Sequence, residues 1–190
     1  MILSILIVTL QSRDKMFRKL MTNLENQLMK FPPETIEILV KCDNGEETTG
    51  AKRDFLLRRA MGDYCGFIDD DDDIPQYYIS EILSAVKSNP DCVPIDGHIT
   101  TDGLHPISWR MSKDNPNVTI FENGQQVYLR AVNHIGIVRT EIAQKCGFPD
   151  IRNGEDKEYS ERIFPHLKTE VKINKPMYHY KFTNTPKLYK

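Results

Sequence analysis

Hydrophobic and polar positions alternate along the first half of the chain in a strand–helix rhythm. Residues 3–9 form a continuous apolar run, the pattern of a strand buried on both faces. Phe17, Leu20, Met21, Leu24 and Leu28 then recur at helical spacing and predict a helix over residues 14–29. Pro32 and Pro33 end it, because proline lacks the amide that a helix interior needs. A second strand is predicted at 36–41, a short helix at 51–61, a turn at Gly62-Asp63 and a third strand at 64–68. Pro75 marks the start of a further helix whose face is Tyr78, Ile79, Ile82, Leu83 and Val86. This order predicts an α/β fold with an open, mostly parallel sheet flanked by helices, and such sheets bind ligands beyond the carboxyl ends of their strands.

The second half is less regular. Short strand-like pieces broken by Gly and Pro occupy residues 92–139. Residues 140–146 and 155–164 read as helices, and residues 169–182 read as one or two strands before a polar tail. At 190 residues the chain suits a single domain, and 39% hydrophobic with 27% charged residues excludes a disordered chain. The net charge of −2 gives no global basic field for nucleic acid. Cys42, Cys65, Cys92 and Cys146 are too scattered for a zinc knuckle and are expected to be reduced. The apolar N-terminus has no basic leader or cleavage site and is too short to span a bilayer. A soluble, cytoplasmic protein with no integral membrane segment is expected.

Candidate chemistry centres on Asp69 to Asp73, five consecutive aspartates directly after an apolar strand. Like charges packed against a buried strand end repel unless a cation is present, and carboxylates are the hard oxygen ligands of Mg²⁺ and Mn²⁺. Those ions take few protein ligands and complete their shell with water and phosphate oxygens. A solvated acidic loop is the plainer reading of the run. Asp72 and Asp73 are expected to serve chiefly as acids at the start of the next helix.

Several segments, taken together and in order, resemble family 2 glycosyltransferases of the GT-A fold. They are the stretch from Ser4 to Arg13, Asp43-Asn44-Gly45, Gly50-Ala51-Lys52-Arg53, Gly62 to Asp72, Cys146 to Asp150, and Gly154-Glu155-Asp156. The resemblance covers residues 3–182. It implies a GT-A (Rossmann-like) single domain with a nucleotide-sugar-binding half, 1–90, and an acceptor-binding half carrying the base, 91–190. It implies a metal-dependent, inverting hexosyl or pentosyl transferase taking a nucleotide diphosphate sugar, with a UDP-sugar favoured, to an acceptor hydroxyl.

By that resemblance Thr9, Leu10 and Arg13 border the nucleotide, Asp43 meets the base, and Arg53 approaches the nucleotide or its phosphates. Asp69 and Asp71 form the D-x-D pair, with Asp70 or Asp72 as the alternative register. The metal, Mn²⁺ or Mg²⁺, falls to Asp71 and Asp69, with His179 or Lys181 as later candidates at the metal or diphosphate. Asp156 matches the catalytic base, and Glu155 holds an acceptor hydroxyl or fixes the loop. The chain departs from the family at Asn44, where a second acid is usual, and at Asp54, where asparagine is common.

From their own surroundings, Asp156 and Glu155 are equally ordinary first-turn helix acids. His179 fits ordinary strand alternation, His134 lines an acceptor pocket or is structural, and Trp109 stacks on a sugar or sits in the core. A modified DNA base remains an alternative acceptor, because Lys168–Lys190 carries six lysines and one acid among aromatic residues. Two alternatives of other classes are a nucleotidyltransferase, which would want a glycine-rich phosphate loop near the N-terminus, and a non-catalytic sugar- or metal-binding module.

Overall fold

The computed structural model describes residues 1–184. Its first sheet takes β1 (Leu3–Leu10), β2 (Ile36–Asp43), β3 (Tyr64–Phe67), β4 (Cys92–Val93) and β9 (Ile137–Arg139) in the order β2-β1-β3-β9-β4. β1 is parallel to β2 and β3, and β9 alone runs against the others. The apolar run of residues 3–9 is thereby explained. β1 lies between two strands and is buried through Ile7, so nearly every position needs an apolar side chain.

Helices α1 (Asp14–Leu28), α2 (Thr49–Leu57), α3 (Tyr78–Ala85), α4 (Thr140–Cys146) and α5 (Glu155–Ile163) pack around this sheet. α1 turns Leu20 and Leu24 inward, as its spacing predicts. It also buries Gln27, whose amide nitrogen donates to Pro75 O at 3.0 Å and whose oxygen accepts from Ile79 N at 3.0 Å. That buried glutamine ties α1 to the segment following the aspartate run.

The irregular second half builds a sheet of its own from β5 (Gly97–Thr101), β6 (Leu104–Met111), β7 (Val118–Glu122), β8 (Gln125–Arg130) and β10 (Tyr178–Phe182), in the order β10-β5-β6-β8-β7. β10 is parallel to β5, β6 is parallel to β8, and the other pairings are antiparallel. The result is a mixed α/β protein with two mixed sheets flanked by helices. The expected mostly parallel sheet describes the first sheet only.

Two close approaches require glycine, one inside the second sheet and one between the two halves of the chain. Gly97 pairs with Tyr178, and a Cβ there would stand 2.2 Å from the Tyr178 carbonyl oxygen. Gly50, in the first turn of α2, donates its amide to Ile151 O at 3.1 Å, and a Cβ would sit 1.9 Å from the carbonyl oxygen of Pro149. Gly50→Ala is therefore expected to cost about 1–3 kcal/mol of stability through overpacking against backbone. A thermal midpoint equal to wild type would refute that. Beside it, Thr48 caps α2 by accepting from Ala51 N at 3.0 Å and donates its hydroxyl to Asp150 at 2.6 Å.

Candidate active site

The aspartate run leaves β3 at its carboxyl end, next to the carboxyl ends of β1 and β2, where Leu10 pairs with Asp43. A cleft of about 940 Å³ opens there between the two sheets. That is the size of a site for a ligand as large as a nucleotide sugar. A second hollow of about 1000 Å³ lies at the opposite ends of the strands, beside Ile2, Met61 and Arg139, and touches none of the run.

Each aspartate in the cleft meets a different partner. Asp69 pairs with Arg53 Nη2 at 2.8 Å and with His134 Nε2 at 3.3 Å, and its amide donates to the Tyr178 hydroxyl. Burial works against its charge, but Arg53 and His134 outweigh burial and hold its carboxyl far below the usual range. Asp70 is almost fully buried. It accepts from Thr9 Oγ1 at 2.5 Å and pairs with Arg13 Nη1 at 2.6 Å. Burial nevertheless pushes it up to about 6.

Asp71 pairs with the other arm of Arg13 at 2.5 Å. Asp72 accepts the Lys181 amide at 2.9 Å, while its Oδ2 is buried with no hydrogen-bond partner among the described residues. Burial, then the charges of Asp69 and Asp71, push Asp72 up to about 8. Asp73 pairs with Lys19 at 2.9 Å and with Lys181 at 3.1 Å.

These contacts correct the expectation that Asp72 and Asp73 start a helix. α3 begins at Tyr78, and no side chain caps it. The two acids instead fasten the loop to β10, where Asp73 and His179 form a backbone bridge.

The expected metal role of His179 is also corrected. Side chains alternate along β10, and Tyr178 and Tyr180 are the ones that line the cleft. His179 points to the other face, stacked on His98 with ring centroids 4.3 Å apart and bonded to Thr100 Oγ1 at 2.8 Å. Lys181 shares that parity, and its ammonium is held by Asp73.

The remaining expected residues gather around the same cleft. Thr9, Leu10, Arg13 and Arg53 line it. Asp43 lies beside it, with one carboxylate oxygen on Lys52 Nζ at 2.6 Å and the other accepting the Glu47 amide at 2.9 Å. Burial opposes its charge, but these bonds keep its carboxyl below the usual value. The neighbouring Asn44 and Gly45 line the cleft directly. Arg53 is spent on Asp69 and on Glu155 at 2.7 Å, so Glu155 is a buried structural partner that fixes the start of α5.

Asp156 remains 43% exposed, with a carboxylate oxygen 4.0 Å from His134 Nδ1. α5 is held in place by Tyr159 stacked on Phe148 at 4.1 Å and by Ser160 donating to Val132 O at 2.6 Å. His134 thus stands between Asp69 and Asp156. Lys52 and Tyr178 were not anticipated as part of this site. Lys52 immediately precedes Arg53, and two adjacent basic residues on one short helix were the signal available. Trp109 also lines the cleft, with its indole nitrogen donating to Ile95 O at 2.8 Å.

A divalent cation can be tested against this donor set. Among the described residues no three His, Cys, Asp or Glu side chains converge, so the protein alone does not build a closed metal cage. An ion that takes one or two carboxylates and fills its shell from a diphosphate needs no such cage. Burial first, and neighbouring carboxylates second, raise Asp70 and Asp72, and one buried Asp72 oxygen has no hydrogen-bond partner among the described residues. The run therefore fits an ion of that kind.

Among the described residues no helix is long and apolar enough to cross a membrane, and the cysteines are all unpaired. Part of the basic tail behind the DNA-acceptor alternative, including Lys187, Tyr189 and Lys190, lies outside the described residues.

No family model matches the chain, and no curated protein matches it in sequence. Its structure is similar to that of Staphylococcus aureus TarS residues 1–349, with a TM-score of 0.73 at 18% identity over 95% of this chain and 60% of that one. The same protein in complex with UDP-GlcNAc gives 0.73 at 17% identity over 95% of this chain and 58% of that chain. The mannosyltransferase PcManGT from Pyrobaculum calidifontis, in complex with GDP-Man and Mn²⁺, gives 0.62 at 11% identity over 93% of this chain and 56% of that one. The chain thus has the GT-A fold of these glycosyltransferases and spans at most about three fifths of their length.

Proposed function

We propose that the chain is a metal-dependent, inverting glycosyltransferase that moves a sugar from a nucleotide diphosphate, most readily a UDP-sugar, to an acceptor hydroxyl. The observation that carries this reading is that Asp69 and Asp156 face one cleft from opposite halves of the chain, with His134 between them. Solved structures of the same fold are described as complexes with UDP-GlcNAc and with GDP-Man and Mn²⁺, which supports a nucleotide-sugar donor.

Residues 1–90 form the donor half in this reading, and residues 91–190 supply the acceptor side and the base. The Asn44–Gly45 turn, positioned by Asp43 and Lys52, receives the nucleoside. Arg13 lies where the diphosphate reaches the acids. Asp71, the last acid of the D-x-D pair, would hold Mn²⁺ or Mg²⁺ together with Asp69, the first. When bound, such an ion supplies charge neutralisation to the leaving diphosphate.

Asp156 accepts the proton of the acceptor hydroxyl as that oxygen attacks the anomeric carbon. Its exposure to the cleft leaves a lone pair available, and its helix is held on both sides. A single base facing the donor corresponds to inversion of configuration. His134 Nε2 lies against Asp69, and its other nitrogen faces Asp156, so it sets the spacing of the two acids.

The test is a thermal-shift titration of UDP with and without Mn²⁺. Wild type is expected to gain stability from UDP only when the ion is present, by about 2.7 kcal/mol at a hundredfold excess over Kd. Asp71→Asn is expected to lose that gain. A UDP response in the variant equal to that of wild type would sink the metal assignment, and release of UDP from UDP-sugars that never exceeds background would sink the transfer reading.

A further inference from the structure

The cleft face of the second sheet carries a cation that the donor chemistry does not use. Alternation along the strands turns Trp109 and Met111 of β6, Tyr128 and Arg130 of β8, and Tyr180 of β10 into the cleft. Trp109 is directly beside Tyr128, and Met111 is directly beside Arg130.

The cleft cations differ in how their charge is met. Arg13, Lys52 and Arg53 are each held by carboxylates. Arg152, at the nucleoside end, donates to Gly45 O at 3.2 Å. Arg130 has no carboxylate partner among the described residues. Its Nη1 donates to the carbonyls of Leu129 at 3.1 Å and Val118 at 3.5 Å, and the guanidinium lies 4.4 Å from the centre of the Tyr128 ring. A guanidinium has five donors in a planar fork that matches a carboxylate or phosphate. Burial lowers the Arg130 pKa, as expected for a half-buried cation lacking a counter-charge.

We propose that Arg130, laid over Tyr128, is the subsite for one negatively charged group, a carboxylate or a phosphate, on a carbohydrate acceptor. This rests on the glycosyl-transfer reading and names the acceptor's chemical class. The Tyr128 ring lies against the arginine, with Trp109 beside Tyr128 on the next strand, and a sugar ring stacks on such rings through its apolar C–H face while the charged substituent reaches the guanidinium. The charge pattern favours a single anionic group over a nucleic acid. A polyphosphate backbone is held by several cations in a row. Among the described residues Arg130 is the one cation that the second sheet turns into the cleft, with Asp156 and Glu155 among the other cleft residues.

The protein has one tryptophan, Trp109, and it lies in this cleft, so its fluorescence reads occupancy. Wild type and Arg130→Gln are titrated with oligosaccharides ending in glucuronate, in glucose 6-phosphate or in glucose, with a short thymidine oligonucleotide, and with UDP plus Mn²⁺. Wild type is expected to bind one of the two charged sugars about tenfold or more tighter than the neutral one. The two charged arms tell carboxylate from phosphate. Arg130→Gln is expected to erase that preference, Arg130→Lys to restore part of it, and both to leave the UDP response intact.

Equal binding of charged and neutral sugars, or a preference that survives Arg130→Gln, overturns the proposal. Oligonucleotide binding tighter than either charged sugar overturns it in favour of a nucleic-acid acceptor. Loss of UDP affinity in Arg130→Gln overturns it by assigning the arginine to the donor. A wild type that ignores UDP yet keeps the charged-sugar preference refutes the transfer reading while supporting the anion subsite.

Discussion

Asp156→Asn is expected to lower the turnover of sugar transfer by about 10²–10⁴-fold, the range typical of a lost general base. The amide nearly matches the carboxylate in shape but cannot accept the proton. The exposed side chain makes no close ion pair among the described residues and stands 4.0 Å from His134, so stability should stay within about 0.5 kcal/mol of wild type. UDP binding should be unchanged, since the carboxylates placed at the diphosphate belong to the run after β3. Steady-state kinetics beside a UDP titration separates these effects. Full turnover in the variant would remove Asp156 from the mechanism, and a parallel loss of UDP affinity would move it to the donor side.

Arg53→Met is expected to give the largest loss of stability. The guanidinium is 5% exposed and holds Asp69 on one arm and Glu155 on the other. Removing it strands Glu155, which is 8% exposed, and leaves Asp69, which is 26% exposed, with His134 as its remaining partner. Breaking a buried pair by deleting one partner costs about 3–5 kcal/mol. For a chain of this size that is roughly 6–20 °C in thermal midpoint. Arg53→Met combined with Glu155→Met should recover part of the loss, since the stranded carboxylate is then gone. A midpoint within a degree of wild type would show that the arginine contributes nothing net to the fold.

The sequence made the first half legible because burial there is nearly complete. β1 and β3 are apolar at almost every position, α1 carries a clean stripe, and Pro32-Pro33 punctuates the turn between them. The acidic run stood out because its charge contradicts the buried strand before it. The second sheet was not legible, since its strands are short and its outer hairpin exposes Phe121 to 76%, so hydrophobicity there does not report burial.

His179 was misplaced for a reason of parity. Tyr-His-Tyr fixes which residues share a face but not which face is inward, and a one-residue change reverses every side chain. Arg53 bridges Asp69 and the distant Glu155, Lys52 reaches back from its helix to Asp43 at the end of β2, and periodicity within one element carries no trace of such pairings. Asp72 and Asp73 looked like helix-starting acids because β10, which claims them, lies more than a hundred residues later.

The position of β9 between β3 and β4 also matters for how the chain is made. The first sheet cannot close until Ile137–Arg139 has left the ribosome, because β4 reaches β3 only through β9. During synthesis the β3 edge therefore waits unpaired while the second sheet's early strands emerge, and an open edge is where a nascent chain is most exposed to pairing with the wrong strand.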